Sequence, residues 1–158
     1  MRMFYAGIGA RKTPKEVLAK MELAAMNLAV AGVSLRTGGA VGADQAFEVG
    51  CRAVRGPCEV FKPLDCPDWF EHAATYHPNW AACSMTAMRL HARNSAIMLG
   101  AQLNAPVNFV VCWTPGGKVT GGTGQALRIA EAYRVPVFNM YYGNAIDELE
   151  RYLGVKLQ

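Results

Sequence analysis

The sequence predicts an α/β fold, a three-layer sandwich in which a mainly parallel sheet of about five strands lies between two layers of helices. Short apolar runs alternate with longer helical patterns along the chain, as expected for strand–helix–strand units. Glycine-rich turns follow the second and the fourth of these apolar runs, each directly before a helical pattern. Turns of this kind are typical of the carboxyl ends of parallel strands, where ligands bind.

The first half of the chain predicts three strands and two helices. An apolar run at residues 3–8 indicates strand one, followed by a glycine turn. The Thr-Pro-Lys-Glu stretch at 13–16 has the form of a capping box, so we expect the first helix to start with Thr13 as its N-cap and to end at Gly32. The remaining elements of this half are a strand at 33–37, a helix at 43–54 and a strand at 59–61.

The stretch 64–80 interrupts this alternation. Its prolines predict a loop that holds at most a helical turn. Packing is the default role for its aromatic rings, with base stacking, a cover over the crevice or a dimer contact as alternatives; the rings are Trp69, Phe70, Tyr76 and Trp80. The elements that follow are a helix at 81–99, strand four at 107–112, a glycine-rich loop at 113–124, a helix at 125–132, strand five at 135–139 and a last helix capped by Asn144 that ends near Gly154.

Right-handed crossover connections and the positions of the glycine-rich turns predict the strand order 3-2-1-4-5. This is a Rossmann-like arrangement, and we expect it to form a single domain over residues 1–158. Strands one and four are neighbours in this order. The turns after strands one, two and four should therefore meet in one crevice at the carboxyl ends of the strands.

The composition indicates one folded domain in the cytoplasm. Of the 158 residues, 52% are hydrophobic and 18% are charged, which allows a substantial core and disfavours disorder. No apolar run is long enough to cross a membrane, and the N-terminus has no signal-peptide pattern. Five cysteines without a CxxC pair fit reduced thiols. The net charge of +4 permits an anionic ligand or nucleic acid without requiring either.

The glycine-rich loop at 113–124 is the most informative stretch. Between a strand and a helix, its glycines let a ligand approach the backbone, and the start of the helix directs free N–H groups at an anion. A mobile surface loop without a ligand is the alternative. The loop fits neither GxxxxGK[ST] nor GxGxxG, so P-loop NTPase chemistry and ordinary NAD binding are disfavoured. Its predicted phosphate-binding residues are Pro115, Gly116, Gly117, Thr120, Gly121, Gly122 and Thr123.

Three earlier segments supply further candidates. Asp44, after the second strand, either caps its own helix or accepts a hydrogen bond from a ribose or a base. Arg93 lies among apolar residues on a predicted helix, where a charged side chain needs a partner. It either clamps a phosphate, contacts the Asp44 region or lies on the solvent face. The candidate ligand-binding residues of these segments are Gly9, Arg11, Thr37, Gly38, Gly39, Gly42, Asp44, Arg93 and Asn94.

Four residues have side chains that ligate zinc in other proteins, but their spacing argues against a site. Structural zinc sites use pairs of ligands two to four residues apart. No such pair occurs among Cys66, His72, His77 and Cys83. The sequence therefore predicts no metal site and no cofactor.

Three short segments resemble the SLOG superfamily of Rossmann-like proteins, and among them the DNA-processing DprA family. Gly9-Ala10-Arg11 resembles the G-S-R turn of that family, and residues 37–44 resemble its S-G-x-A-x-G-I-D segment. Arg93-Asn94 with Ile97 resembles its R-N-R-x-I segment, and the whole resemblance covers about residues 3–140. It implies a Rossmann-like fold, a homodimer and, for the DprA family, binding of single-stranded DNA at the crevice.

The chain departs at specific positions from the DprA family and from a second SLOG family, the LOG phosphoribohydrolases. Ser95 replaces the second Arg of the R-N-R segment. The glycine-rich loop also resembles the P-G-G-x-G-T-x-x-E loop of the LOG phosphoribohydrolases, with Leu127 or Arg128 in place of their catalytic Glu. Cleavage of an N-glycosidic bond needs such a carboxylate. In this chain Asp44 or Glu131 would have to supply it.

The leading hypothesis from the sequence is a non-enzymatic protein that holds the phosphates of a nucleotide or of single-stranded DNA in the crevice. Backbone N–H groups of the glycines do most of the holding in this hypothesis, and phosphate contacts of this kind do not read base sequence. The additional donors are Arg11, Arg93, Thr120 and Thr123. One alternative is a nucleoside-monophosphate phosphoribohydrolase or related N-glycosidase, and another is a nucleotide-sensing regulatory module.

Overall fold

Strands and helices alternate along residues 2–158, the part of the chain that the computed structural model describes. The strands are β1 (Met3–Gly7), β2 (Val33–Thr37), β3 (Cys58–Val60), β4 (Phe109–Cys112) and β5 (Val137–Asn139). The helices are α1 (Lys15–Val30), α2 (Ala43–Ala53), α3 (Pro67–Tyr76), α4 (Met85–Leu99), α5 (Gly121–Ala132) and α6 (Ala145–Leu153), with short 3-10 turns at Trp80–Ala82 and Pro115–Gly117. None of the helices in this part of the chain is both long enough and apolar enough to cross a bilayer.

The strands form one parallel sheet in the order β3-β2-β1-β4-β5, which confirms the predicted topology. β1 lies at the centre, where Ala6 pairs with Arg36 of β2 on one side and with Val110 of β4 on the other. Because parallel strands run in the same direction, their carboxyl ends share one edge of the sheet. The turns that leave β1, β2 and β4 therefore start close together.

The sheet separates two hydrophobic cores, because successive side chains of a strand point to opposite faces. On the face covered by α1, α2 and α6, the rings of Tyr5 and Phe109 stack at 5.5 Å, and Phe47 meets Tyr5 edge-on at 6.1 Å. The adjacent strand residues Ala6 and Val110 face the second core, which α3, α4 and α5 cover. Helices on both faces confirm the three-layer sandwich.

The prediction of a loop at 64–80 is wrong, because this stretch contains the ten-residue helix α3. Pro67 occupies the first turn of α3, where its missing N–H leaves no helix hydrogen bond unmade. Trp69 and Ala73 lie one turn apart and are buried in the second core, and the Trp69 indole donates to the carbonyl of Ala101 at 2.9 Å. The other three aromatic residues pack partly buried against the same core, which confirms packing as their role in the fold.

Several helix starts also differ from the prediction. Thr13 does not cap α1, since its hydroxyl donates to the carbonyl of Ala10 at 2.6 Å and the helix begins two residues later. The helix predicted to begin at 81 begins after Ser84, whose hydroxyl accepts from the N–H of Ala87 at 3.1 Å. A local hydrogen bond of a hydroxyl side chain thus lies beside each of these two boundaries.

The start of α5 differs from the prediction, whereas the N-cap residue of α6 agrees with it. α5 begins at Gly121, four residues earlier than predicted, so the second half of the glycine-rich loop is its first turn. Asn144 occupies the N-cap position of α6, as predicted. Its side-chain amide donates to Glu148 at 3.1 Å and makes no capping bond to the backbone.

We expect Phe47→Ala to lower the free energy of unfolding by about 3–5 kcal/mol, because a fully buried ring between α2 and the sheet would leave a cavity. Urea titration measures this change. Val49→Ala on the same helix is the matched control; Val49 is 54% exposed, and its truncation should change stability by less than about 0.5 kcal/mol. Equal effects of the two substitutions would contradict the packing described here.

Candidate functional site

The turns after β1, β2 and β4 contact one another at the carboxyl edge of the sheet. The N–H of Ala10 donates to the carbonyl of Trp113 at 3.1 Å, which joins the turn after β1 to the end of β4. Gly42, at a φ of 96°, approaches the turn after β1 so closely that a Cβ would stand 2.8 Å from the carbonyl oxygens of Ala10 and Arg11. Only glycine suits both this conformation and this contact.

A cavity of about 450 Å³ opens where these turns meet, and we call it the crevice. Its volume is in the range of small-ligand sites. The residues predicted from the sequence that line the crevice are Gly9, Arg11, Asp44, Arg93, Asn94, Pro115, Thr120, Gly121, Gly122 and Thr123. The expected convergence of three strand ends is therefore present, and it includes half of the glycine-rich loop.

Some predicted residues of the turn after β2 do not line the crevice and instead make contacts within the protein beneath it. The Thr37 hydroxyl is buried and donates to the carbonyl of Gly7 at 2.6 Å. Gly38 has no room for a side chain, because a Cβ would clash with the guanidinium of Arg93, and its N–H donates to Asp44 at 3.2 Å. This N–H group is therefore already paired within the protein. The predicted residues of this turn that do not line the crevice are Thr37, Gly38, Gly39 and Gly42.

Two glycines of the loop after β4 also lie apart from the crevice lining. Gly116 and Gly117 belong to a 3-10 turn, and both have positive φ, 65° and 69°. Gly117 packs against the ring of Tyr142 and lines a second cavity of about 510 Å³ between α5, β5 and α6. Gly116 and Gly117 thus lie away from the crevice, whereas residues on both sides of them in the loop line it.

Sequence reasoning missed some residues of the crevice, which are Ile8, Ala10, Ala40, Leu90 and Thr114. Leu90 precedes Arg93 by three residues on α4, so helical spacing would have placed both on one face. Thr114 is fully buried, and its hydroxyl accepts from the amide of Asn139 at 2.8 Å. No motif marks such a threonine in a sequence, because its role depends on a residue from β5.

Arg93 joins α4 to the turn after β2. Its side chain is buried, and Nη1 donates to the carbonyls of Gly38 at 2.8 Å and Phe61 at 3.4 Å. Burial lowers the pKa of the guanidinium, whereas the nearby carboxylate of Asp44 raises it. Its Nε has no hydrogen-bond partner within residues 2–158. Arg93 is therefore in the interior, not on the solvent face.

Asn94, the next residue, holds the start of α5. Its side-chain amide donates to the carbonyl of Gly122 at 2.9 Å. Hydrogen bonding inside α5 begins with the N–H of Gly124, which donates to the carbonyl of Thr120 at 2.9 Å. The N–H groups of residues 121–123 therefore have no acceptor within the helix. Together with the positive end of the helix dipole, they form an end suited to an anion.

Asp44 is the only carboxylate that lines the crevice within the described part of the chain. It does not cap α2, whose N-cap is Gly42; instead, Oδ2 accepts from the N–H groups of Gly38 at 3.2 Å and Ala40 at 3.4 Å. Burial raises the pKa of this carboxyl to about 6, against the opposing effects of the Arg93 charge and of backbone hydrogen bonds. The carboxyl can therefore exchange a proton near neutral pH.

Residues considered for other chemistry lie outside the crevice. Glu131 lines the second cavity, so it cannot act together with Asp44 on one ligand. His72 contacts the hydroxyls of Ser95 at 2.8 Å and Tyr133 at 3.0 Å and is engaged in the fold. The other zinc-type side chains of the 66–83 stretch are also absent from the crevice lining.

The raised pKa of Asp44 implies that stability depends on pH. Because its pKa is about 6 in the fold and 3.8 without these surroundings, its stabilising contribution is full below about pH 4 and is lost as pH rises through 6. We expect Asp44→Asn to remove this loss, so that the free energy of unfolding of the variant relative to the wild type rises by about 2 kcal/mol from pH 4 to pH 7. Urea titrations across this range measure it, with the exposed Asp68→Asn as control. A profile of Asp44→Asn parallel to the wild type would contradict the assignment.

No family model and no curated protein sequence matches the chain. Among solved structures, the chain is similar to DNA processing protein A from Helicobacter pylori, which binds single-stranded DNA, at 16% identity and a TM-score of 0.61, covering 98% of this chain and 74% of that one. The molybdenum cofactor carrier protein MCP from Chlamydomonas reinhardtii aligns at 14% identity and a TM-score of 0.43, covering 87% and 89% of the two chains. The chain thus has a Rossmann-like fold similar to that of DNA processing protein A.

Proposed function

We propose that the crevice binds the sugar-phosphate backbone of single-stranded DNA, with a nucleotide as a smaller ligand of the same chemistry. One observation carries this proposal: the unpaired N–H groups at the start of α5 border a cavity that Arg11 also lines. A helix N-terminus and a guanidinium that converge on one cavity favour a phosphate. The similar fold of DNA processing protein A, a protein that binds single-stranded DNA, supports the proposal.

The two arginines have different roles in this proposal. Arg11 is exposed, so its guanidinium can contact a phosphate and remain partly hydrated. Arg93 is buried and held by two carbonyls, so its role in the proposal is a fixed positive charge at the crevice. Asp44 would accept from a sugar hydroxyl or a base when ionised and donate when protonated.

The crevice lining argues for backbone binding without base selection. None of the residues that line it within the described chain is aromatic, so bases have no stacking surface inside it. Its donors are backbone N–H groups, guanidinium groups and threonine hydroxyls, which suit phosphate and sugar oxygens. We therefore propose that the preference for base sequence is weak and that the affinity falls steeply as the salt concentration rises.

A second candidate function is hydrolysis of the N-glycosidic bond of nucleoside monophosphates. The observation in its favour is Asp44, a carboxyl group with a pKa of about 6 beside the anion-binding helix end, where it could protonate a leaving base. Release of free base from a panel of nucleoside monophosphates tests this activity. A third candidate, a nucleotide-sensing module, would be identified by a small nucleotide that stays bound to the purified protein.

The proposal also describes a homodimer that functions in the cytoplasm. All five cysteines are free thiols, as expected in a reducing compartment. The dimer rests on the resemblance to the DprA family, and sedimentation equilibrium tests it. A monomer at concentrations that saturate DNA binding would remove the dimer from the proposal and leave the crevice in place.

We expect Gly122→Asp to weaken binding of labelled oligo-dT by at least about 10-fold, because it adds a negative charge to the crevice. Position 122 has open space around a Cβ, and an acidic residue in the first turn of α5 favours the helix, so folding should be unaffected. Fluorescence anisotropy measures the affinity. Gly122→Asn has the same size without the charge and should bind within about 3-fold of the wild type. Unchanged binding by Gly122→Asp would refute the assigned site.

We expect Arg11→Ala to weaken binding of oligo-dT and to reduce the slope of log affinity against log salt by about 0.7, the value for one lost contact with single-stranded DNA. The same anisotropy assay over a series of salt concentrations measures both quantities. Arg151→Ala, an exposed arginine on α6, is the control and should leave the slope unchanged. Parallel lines for Arg11→Ala and the wild type would exclude Arg11 from the phosphate contacts.

A further inference from the structure

Three metal-ligating side chains lie together outside the crevice lining. His77 directly follows α3, Cys83 follows the 3-10 turn at Trp80–Ala82, and His91 belongs to α4. Each offers one ligand atom, and these atoms all lie within 4.8 Å of one another. The cluster arises because α3 packs against α4, so sequence spacing does not reveal it.

The distances suit a single small ion. The Sγ of Cys83 lies 3.8 Å from Nε2 of His77, and the rings of His77 and His91 have centroids 4.4 Å apart. In a tetrahedral zinc site, a sulfur and a nitrogen ligand lie about 3.6 Å from each other, as follows from the usual bond lengths. Small side-chain rotations would therefore bring the three ligand atoms to an ion.

His91 supplies an independent indication. Its Nδ1 is buried, yet it has no hydrogen-bond partner within residues 2–158. A buried polar atom without a partner lowers stability, and a metal ion would satisfy it.

We propose that His77, Cys83 and His91 bind one zinc ion. Two imidazoles and a thiolate match the ligand preference of Zn²⁺, and water or an external ligand would complete the tetrahedron. On binding, the Cys83 thiol loses its proton to solvent and the resulting thiolate forms the zinc–sulfur bond. The metal does not change oxidation state, and no other reactant is needed.

Two features of the cluster oppose zinc binding and lower the affinity of the site for the ion. The N–H of Asn79 donates to Nδ1 of His77 at 3.0 Å. A neutral imidazole has only one nitrogen with a free lone pair, so zinc binding must replace this hydrogen bond. The positive charge of Arg128 acts on both histidines. We therefore infer a site that depends on the Cys83 thiolate for charge compensation.

The bound ion would connect the segment between α3 and α4 to α4 itself. His77 and Cys83 lie in the segment between α3 and α4, and His91 precedes Arg93 by two residues on α4. Zinc would thus fix that segment to the helix whose side chains hold the crevice. Its position outside the crevice lining leaves the ligand contacts of the crevice free.

The test uses the full chain, freed of metal by a chelator, and titrates Zn²⁺ and Co²⁺ separately. We expect one ion per chain and, with Co²⁺, an absorption band of thiolate-to-metal charge transfer. Cys83→Ser should abolish this band and weaken zinc binding by more than about 10-fold, and His91→Gln should also weaken binding. Cys66→Ser, at a half-buried cysteine that precedes α3 and lies outside the cluster, is the matched control and should bind as the wild type does.

Two results would overturn the proposal. One is zinc affinity of the wild type no higher than that of Cys83→Ser, with both proteins folded by circular dichroism. The other is a charge-transfer band that survives in Cys83→Ser and disappears in Cys66→Ser. If His91→Gln fails to fold, the comparison of the two cysteine variants still decides, because neither thiol belongs to the buried interior.

Discussion

The crevice depends on the buried contacts of two adjacent residues in α4. Arg93 donates to carbonyls at the ends of β2 and β3, and Asn94 donates to the carbonyl of Gly122 in the first turn of α5. Neighbouring residues of a helix point about 100° apart, so one turn of α4 reaches both sides of the crevice. A guanidinium this deeply buried is stable only when acceptors surround it, and the protein backbone provides them. One helix therefore contacts both the turn after β2 and the first turn of α5.

Asp44 engages backbone N–H groups of the turn after β2 and leaves those at the start of α5 without a side-chain acceptor. Its carboxylate takes the N–H groups of Gly38 and Ala40, which would otherwise be free to hold an anion. The start of α5 has no comparable side chain, since Thr120 makes no capping bond. In the proposed function, the start of α5 is therefore the part of the crevice whose N–H groups are available to a negative ligand. The proximity of Arg93 keeps the cost of ionising Asp44 moderate.

The alternating pattern of the chain was sufficient to predict the sheet order, both helical layers and the meeting of three strand ends. It could not show the role of individual N–H groups: Gly38 sits in a predicted phosphate-binding turn, yet its donor is taken by a side chain six residues later. The helix α3 escaped prediction because prolines near both of its ends resemble the composition of a loop. Thr114 and the pairing of His91 with His77 depend on elements distant in sequence. Such contacts require the folded chain.

The glycine content of the first turn of α5 has a consequence for how tightly any ligand can be held. Gly121, Gly122 and Gly124 are flexible when the helix is open, so closing this turn costs more conformational entropy than closing a turn of other residues. The turn is therefore a segment prone to local unfolding, with Asn94 as a tether. For a ligand bound as proposed, the apparent affinity equals the intrinsic affinity multiplied by the fraction of molecules in which the turn is closed. For the proposed ligand, binding strength thus depends on the folding equilibrium of a single helical turn as well as on the contacts made to the ligand.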